Sequence, residues 1–264
     1  MSPREVYATH KVAQDEARLD GKLDGKLDGK LDGKLDGKLD GKYVGDKAAG
    51  RRTNATMGEV FAEFWRHPSP YLLGTCLVAA ITGRVLAGAG SWWELAMPVG
   101  LVAILPVVEW LVHVFILHWK PRRVGPLTLD PLLARKHRAH HADPRAIPLV
   151  FIPWQAQLWL APAWTGLAWL VTPTTTSMFT LLVAVYTIKS GYEWTHYLLH
   201  SDYRPRSAWY RKVWRNHRLH HYKSEHYWFT VTTAGTADRL FGTAPDPSTV
   251  PTSPTVQRLH DLSL

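Results

Sequence analysis

The chain has 264 residues, enough for one good-sized domain, and is rich in tryptophan (13 residues) with only 20% charged residues. Its one cysteine, Cys76, excludes an internal disulfide and a thiolate metal site, so any metal must be held by nitrogen or oxygen. The net charge of +9 is uneven: residues 1–70 hold 13 Lys/Arg against 12 Asp/Glu, and residues 71–264 hold 18 against 10. Basicity of this kind suits nucleic acid or an anionic membrane surface, and the apolar segments described next favour the membrane.

Residues 1–56 form the first compositional unit and contain no apolar core of the length a secretory signal needs. Within them, residues 19–42 repeat Leu-Asp-Gly-Lys six times. A helix is disfavoured there, because each Gly costs about 0.8–1 kcal/mol relative to Ala. Asp also meets Asp, and Lys meets Lys, at i,i+4, which repels. The expectation is a flexible, nearly neutral tail. Composition changes at Met57, where Val60, Phe61, Phe64 and Trp65 mark a short amphipathic lead-in ending near Arg66. Four apolar segments follow, at about 71–90, 93–117, 149–171 and 177–199, each close to the ~20 residues a helix needs to cross a bilayer. The turns after the first and third carry no Lys or Arg, whereas seven lie between Lys120 and Arg145 and nine more follow His200. The positive-inside rule then places both ends and the central loop in the cytoplasm. Arg84 and Lys189 lie in or near spans, where snorkelling or a polar contact accommodates them. Trp92, Trp93, Trp119 and Trp154 sit where an aromatic belt would. The expected fold is all-α: four transmembrane helices and a cytosolic helical cap over residues 57–244, followed by a flexible C-terminal tail at 245–264.

Ten histidines fall into four clusters at the cytoplasmic side of this layout. His113 and His118 form H-x-x-x-x-H at the end of span two; His196 and His200 form H-x-x-x-H at the end of span four. His137, His140 and His141, and again His217, His220 and His221, form H-x-x-H-H just beyond those ends. Imidazole suits zinc, copper, iron and nickel, and ten imidazoles exceed what one metal binds. Two nearby metals sharing them is the natural reading. A surface helix explains a lone H-x-x-x-H more simply, but not four clusters that all reach one layer. One spacing is irregular: five residues of ideal helix turn about 500°, leaving His113 and His118 about 140° apart. They converge only if the helix unwinds or ends between them, and Trp119-Lys120-Pro121 predicts an end near His118.

In this order H-V-F-I-L-H, H-R-A-H-H, H-Y-L-L-H and H-R-L-H-H resemble the fatty acid hydroxylase superfamily, also called the sterol desaturase family. The resemblance covers about residues 100–244, including Asp-Arg-Leu-Phe-Gly-Thr at 238–243, and Y-E-W-T-H-Y-L-L-H is particularly similar to the fatty acid 2-hydroxylase branch. It implies two iron ions held by the ten histidines, with zinc as a substitute in purified protein. It also implies O₂ as co-substrate and hydroxylation or desaturation of a lipid. An acyl or sterol C–H bond has no acidic proton, so a redox cofactor must break it. The net reaction is R–H + O₂ + 2e⁻ + 2H⁺ → R–OH + H₂O. No flavin, nicotinamide or haem motif is visible, so the electrons are expected from a separate carrier of cytochrome b5, ferredoxin or rubredoxin type, docked by nearby Arg and Lys.

Glu109 and Glu193 precede His113 and His196 by four and three residues, and are candidates to orient an imidazole through its other nitrogen, with Asp238 a similar candidate. His226 is a candidate for the outer shell, while His10, His67 and His260 belong to no cluster. Tyr227, Trp228 and Phe229 read as interfacial packing or an acyl channel. H-E-x-x-H, the zinc protease signature, is absent, and only Glu193-Trp-Thr-His196 fits the Glu-x-x-His motif of soluble di-iron bundles. Sterol desaturation and carotenoid hydroxylation stay open on the same site. So does a metal-binding or ion-handling membrane protein, although a transporter places its ionisable groups at the bilayer midplane.

Overall fold

Thr56 starts the first helix. Its side chain and that of Glu59 cap each other's backbone N–H groups, opening helix α1 (Met57–Phe64). The computed structural model describes residues 55–204 and 206–260. The repeat at 19–42, the rest of the N-terminal segment before residue 55, and His10 lie outside the described residues. Helix α2 (Pro68–Leu86) opens with prolines in its first turn, where the missing N–H is no loss. A Ser91–Glu94 capping box starts a long helix that runs as a 3₁₀ turn (Trp92–Leu95), α3 (Ala96–Leu111) and a π-helical segment (Val112–Leu117). A two-stranded antiparallel ribbon follows, β1 (Arg122–Val124) with β2 (Leu127–Leu129), a small departure from the all-helical expectation. Next come α4 (Leu132–Ala142), a single turn α5 (Ile147–Val150), α6 (Trp154–Val171) and α7 (Thr175–His200). Helix α8 (Ala208–Tyr222), N-capped by Ser207, and the short α9 (Thr236–Leu240) complete the set.

Helix α7 is the central post. Its 26 residues span about 39 Å at 1.5 Å per residue. Helices α2, α3 and α6 pack around it. On α2, Leu73 and Ala80 meet Leu182 and Tyr186 of α7 and Ala168 of α6. The two helices are tight at Gly83, where any added Cβ would run into the Phe179 ring. Next to it, Glu94 takes hydrogen bonds from Thr176 and Thr180 and pairs with Arg84, joining α2, the 3₁₀ turn and α7. Arg84 thus satisfies its charge inside the bundle. Near the other end of α7, Phe64 of α1 packs against Phe151, Trp194 and Tyr197.

Among the described residues, two helices are long and apolar enough to cross a membrane, Pro68–Leu86 and Trp92–Leu117. Only 22% and 11% of their apolar windows are buried within the protein, so their outer faces present hydrocarbon to the surroundings. The other two expected spans correspond to α6 and α7 but do not share that apolar character. Helix α6 carries Gln155, Gln157 and Thr165, and α7 carries Lys189, Glu193, His196 and His200. Many of these polar groups are internally satisfied: Lys189 donates to Gln157 (2.8 Å), which donates to Ser69 (3.2 Å), which donates to Glu193 (2.7 Å).

The segment after residue 244 is not the free tail expected from sequence. Val250 is buried with Leu219 and Trp228, and Val256 and Leu259 are buried further along. Apolar side chains spaced along an irregular stretch leave no periodic signal, which is why the sequence suggests a tail.

Candidate metal centre

The ten clustered histidines come from four elements: the π-helical segment and its end (His113, His118), α4 (His137, His140, His141), α7 (His196, His200) and α8 (His217, His220, His221). They meet in two groups. The first is His113, His118, His137, His141 and His220; the second is His140, His196, His200, His217 and His221. Within each group the ligand-capable atoms lie within 4.8 Å of one another. Eight of the ten are buried; His118 and His200 are partly exposed.

Helix geometry explains the partition. Residues i and i+4 stand about 40° apart, whereas i+3 stands about 60° to the other side. His137 and His141 therefore share the first group while His140 turns to the second. His217 and His221 share the second while His220 turns to the first. Each triad is thus divided between the two groups. The H-x-x-x-x-H pair is reconciled by the π-helix. His118 N donates to His113 O at 3.0 Å, an i→i+5 bond that stacks residues five apart on one face. The helix ends there, at His118.

Main-chain carbonyls hold three rings of the first group. Nδ1 of His113 donates to Phe229 O, that of His141 to Val256 O at 3.0 Å, and that of His220 to Tyr227 O at 2.8 Å. A carbonyl only accepts, so the proton sits on Nδ1 and each Nε2 turns a lone pair inward. The Nε2 atoms of His141 and His220 are 3.1 Å apart, and those of His113 and His137 are also 3.1 Å apart. Between His141 and His220, whose protons are both committed to carbonyls, lone pairs converging this closely repel unless a cation lies between them. In the second group, Nε2 of His200 and His217 approach to 2.7 Å, and Nε2 of His196 and both ring nitrogens of His221 are buried without a hydrogen-bond partner. The donor set, all neutral nitrogen, fits a divalent transition ion in each group.

Burial keeps these rings neutral. His137, His140, His141, His217 and His221 are pushed well below the usual imidazole range by burial, and further by neighbouring imidazoles. His220 falls to about 4, again from burial, with the Tyr227 carbonyl partly opposing the shift.

The four candidates for supporting roles act differently from expectation. Glu109 hydrogen-bonds Thr232 and Thr233, and Glu193 hydrogen-bonds Ser69 and the Ile152 N–H; neither carboxylate orients an imidazole. The i−4 and i−3 spacings put them on the histidine face of the helix but a turn away, where loop and bundle partners reach them first. Asp238 likewise misses the rings. It accepts from the N–H groups of Phe229 (2.8 Å) and Thr230 (2.9 Å), and so fixes the loop whose carbonyls hold His113 and His220. His226 faces solvent, 70% exposed, with Nε2 3.6 Å from Glu225, and is outside the centre. His67 stacks on Phe151 instead.

The partners that matter are invisible in the side-chain pattern, because they are backbone groups. Between Tyr227 and Phe229, Trp228 adopts a left-handed conformation (φ 56°), costly for a bulky residue. That turn lets both neighbouring carbonyls face imidazoles. Trp228 is held by burial and by its N–H donating to Thr243 O at 2.8 Å. His260, which belongs to no cluster, donates from Nε2 to His118 O at 2.8 Å.

A family model described as fatty acid hydroxylase matches residues 98–243, more than half of the chain. The chain belongs to the fatty acid hydroxylase family. Membership makes it a lipid-hydroxylating oxidoreductase, and the matched residues contain all ten clustered histidines. A dihydroceramide fatty acyl 2-hydroxylase of Arabidopsis thaliana is 28% identical over 189 residues, covering 69% of this chain and 73% of the relative. This agrees with the resemblance of Y-E-W-T-H-Y-L-L-H to the 2-hydroxylase branch. No solved structure matches the chain.

Proposed function

We propose that this fatty acid hydroxylase family member is a membrane-embedded two-iron enzyme that hydroxylates the acyl chain of a membrane lipid, at the carbon next to the carbonyl. The observation that carries the metal reading is the convergence of ten imidazoles into two groups of five, with Nε2 atoms 2.7–3.2 Å apart and the protons of His113, His141 and His220 already given to main-chain carbonyls. The 2-position and a ceramide-linked acyl chain are supported by the plant relative.

When bound, iron supplies with O₂ the oxidising power that a C–H bond requires. The chain's own residues do the rest. His113, His118, His137, His141 and His220 hold one ion, and His140, His196, His200, His217 and His221 the other. Burial keeps the rings unprotonated at neutral pH and excludes bulk water, which limits side reactions. The loop at 227–230, pinned by Asp238, fixes the rings of His113 and His220.

Four spans are part of the proposal. Helices α2 and Trp92–Leu117 meet the length and hydropathy expected of a span, and α6 and α7 complete a bundle in which Gln157, Lys189 and Glu193 find polar partners inside. The basic segments put the termini and the metals on the cytoplasmic side, within reach of a lipid rising from the bilayer and of an acidic electron carrier. The test is direct. Purified protein should bind two irons per chain, and membranes containing it should convert a ceramide or acyl lipid to a product one oxygen heavier when given O₂ and a reductant. A product lacking two hydrogens would mean desaturation, and metal binding without lipid turnover would return the ion-handling reading.

A further inference from the structure

The family match ends at residue 243, yet the chain continues into the metal centre. Residues 250–260 run back across it. Val250 anchors the start against Leu219 and Trp228. Ser253 N donates to Lys223 O at 2.7 Å, just past the end of α8. The hydroxyls of Ser253 (3.0 Å) and Thr255 (2.5 Å) both donate to Oε1 of Glu225, a carboxylate that is 1% exposed. This latch delivers Val256, whose carbonyl accepts from His141 Nδ1, and then His260, whose ring donates to the His118 carbonyl. Both histidines belong to the first group. For the second, backbone groups at Val150 and Pro144 support His196 and His200, and neither lies in this segment.

We infer that residues 250–260 are a strap belonging to the first metal site, with the Val256 carbonyl as a positioning group that fixes the tautomer and angle of His141. This rests on the two-metal reading above. A buried carboxylate that receives two hydroxyls from one short segment is an expensive arrangement for a passive tail, since desolvating it must be offset by those bonds. Outer partners of metal-binding imidazoles are worth about 10–100-fold in metal affinity. The strap therefore sets how tightly one of the two ions is held, from outside the part of the chain that defines the family.

The test uses full-length protein in lipid nanodiscs, stripped of metal and titrated with Co(II) alone. The cobalt spectrum and metal per chain are the readouts. In a His217→Ala background the first site is read by itself, and in a His113→Ala background the second. Ending the chain at Ser248 should weaken the first site by roughly 10–100-fold and leave the second unchanged. Thr255→Val, which removes one latch hydroxyl but keeps the volume, should shift the first site the same way, and Thr255→Ser should restore it. Equal weakening of both sites would reduce the strap to a general stabiliser and overturn the inference, as would unchanged binding at both. If the otherwise unaltered full-length chain takes up fewer than two ions, the two-metal reading itself fails and the strap falls with it.

Discussion

His141 and His220 show what the site demands of a single residue. Each gives its Nδ1 proton to a main-chain carbonyl and so can offer only a lone pair to its neighbour 3.1 Å away. Alanine at His137, His196 or His220 should therefore abolish turnover and lower the metal content, yet leave membrane insertion intact. Metal analysis of membrane-extracted protein beside an activity assay checks this. Normal turnover in any of the three would remove that residue from the site. The same burial makes a pH prediction. In the folded chain these rings protonate well below 6.5, at about 4 for His220, while in the unfolded chain they protonate near 6.5. The unfolded state thus binds more protons across that window, so stability rises with pH there. Metal-stripped protein should melt at a constant temperature above about pH 7 and at falling temperatures as pH drops from 6.5 toward 4. A melting temperature that rises on acidification would contradict the assignment of neutral rings. Asp238→Asn offers a third check. It puts an amide where four donor groups now point, from Phe229, Thr230 and Thr243. A loss of roughly 2–4 kcal/mol in stability and a weakened first metal site are expected.

At the scale of elements, much of the centre is legible in the sequence because helix geometry is arithmetic. The spacings gather the rings of each triad within about 60° of its first member, and the misfit of His113 with His118 demands a local unwinding or a helix end. How the helix unwinds is not legible, because an i→i+5 turn has no residue signature of its own. Nor is the split of each triad, since it depends on where four separate elements meet. The carbonyls of Tyr227, Phe229 and Val256 escape for a simpler reason: every residue carries one, and only the turn at Trp228 decides which way two of them face. Packing between elements yields a further prediction. Gly83→Val would drive a branched side chain into Phe179, whose ring already fills the space a Cβ would need. Overpacking of this kind costs about 1–3 kcal/mol. Thermal unfolding in detergent should report it, and Phe179→Ala in the same chain should relieve part of it.

For the whole molecule, the proposed four spans and the proposed cytoplasmic placement of the centre make one topological prediction. Cysteines introduced at Gly90 and at Arg135, in a Cys76→Ser background, should be labelled from opposite sides of sealed vesicles by an impermeant maleimide. Labelling from one side would sink the proposed threading. The Leu-Asp-Gly-Lys repeat gives another, since residues 19–42 lie outside the described residues and outside the family match. Their deletion should leave specific activity largely unchanged. The sequence suggests the bundle well where apolar runs are long, and poorly at the C-terminus, where single apolar residues spaced along an irregular segment pack one by one.

Helices α4 and α8 each lend side chains to both groups, so the two centres share their walls. No carboxylate is among the ten donors, and the same two helices carry donors of both groups. A displacement of either helix along its axis shifts donors on both sides together. The pair behaves as one mechanical unit, and damage to a single turn of either helix disarms two positions at once.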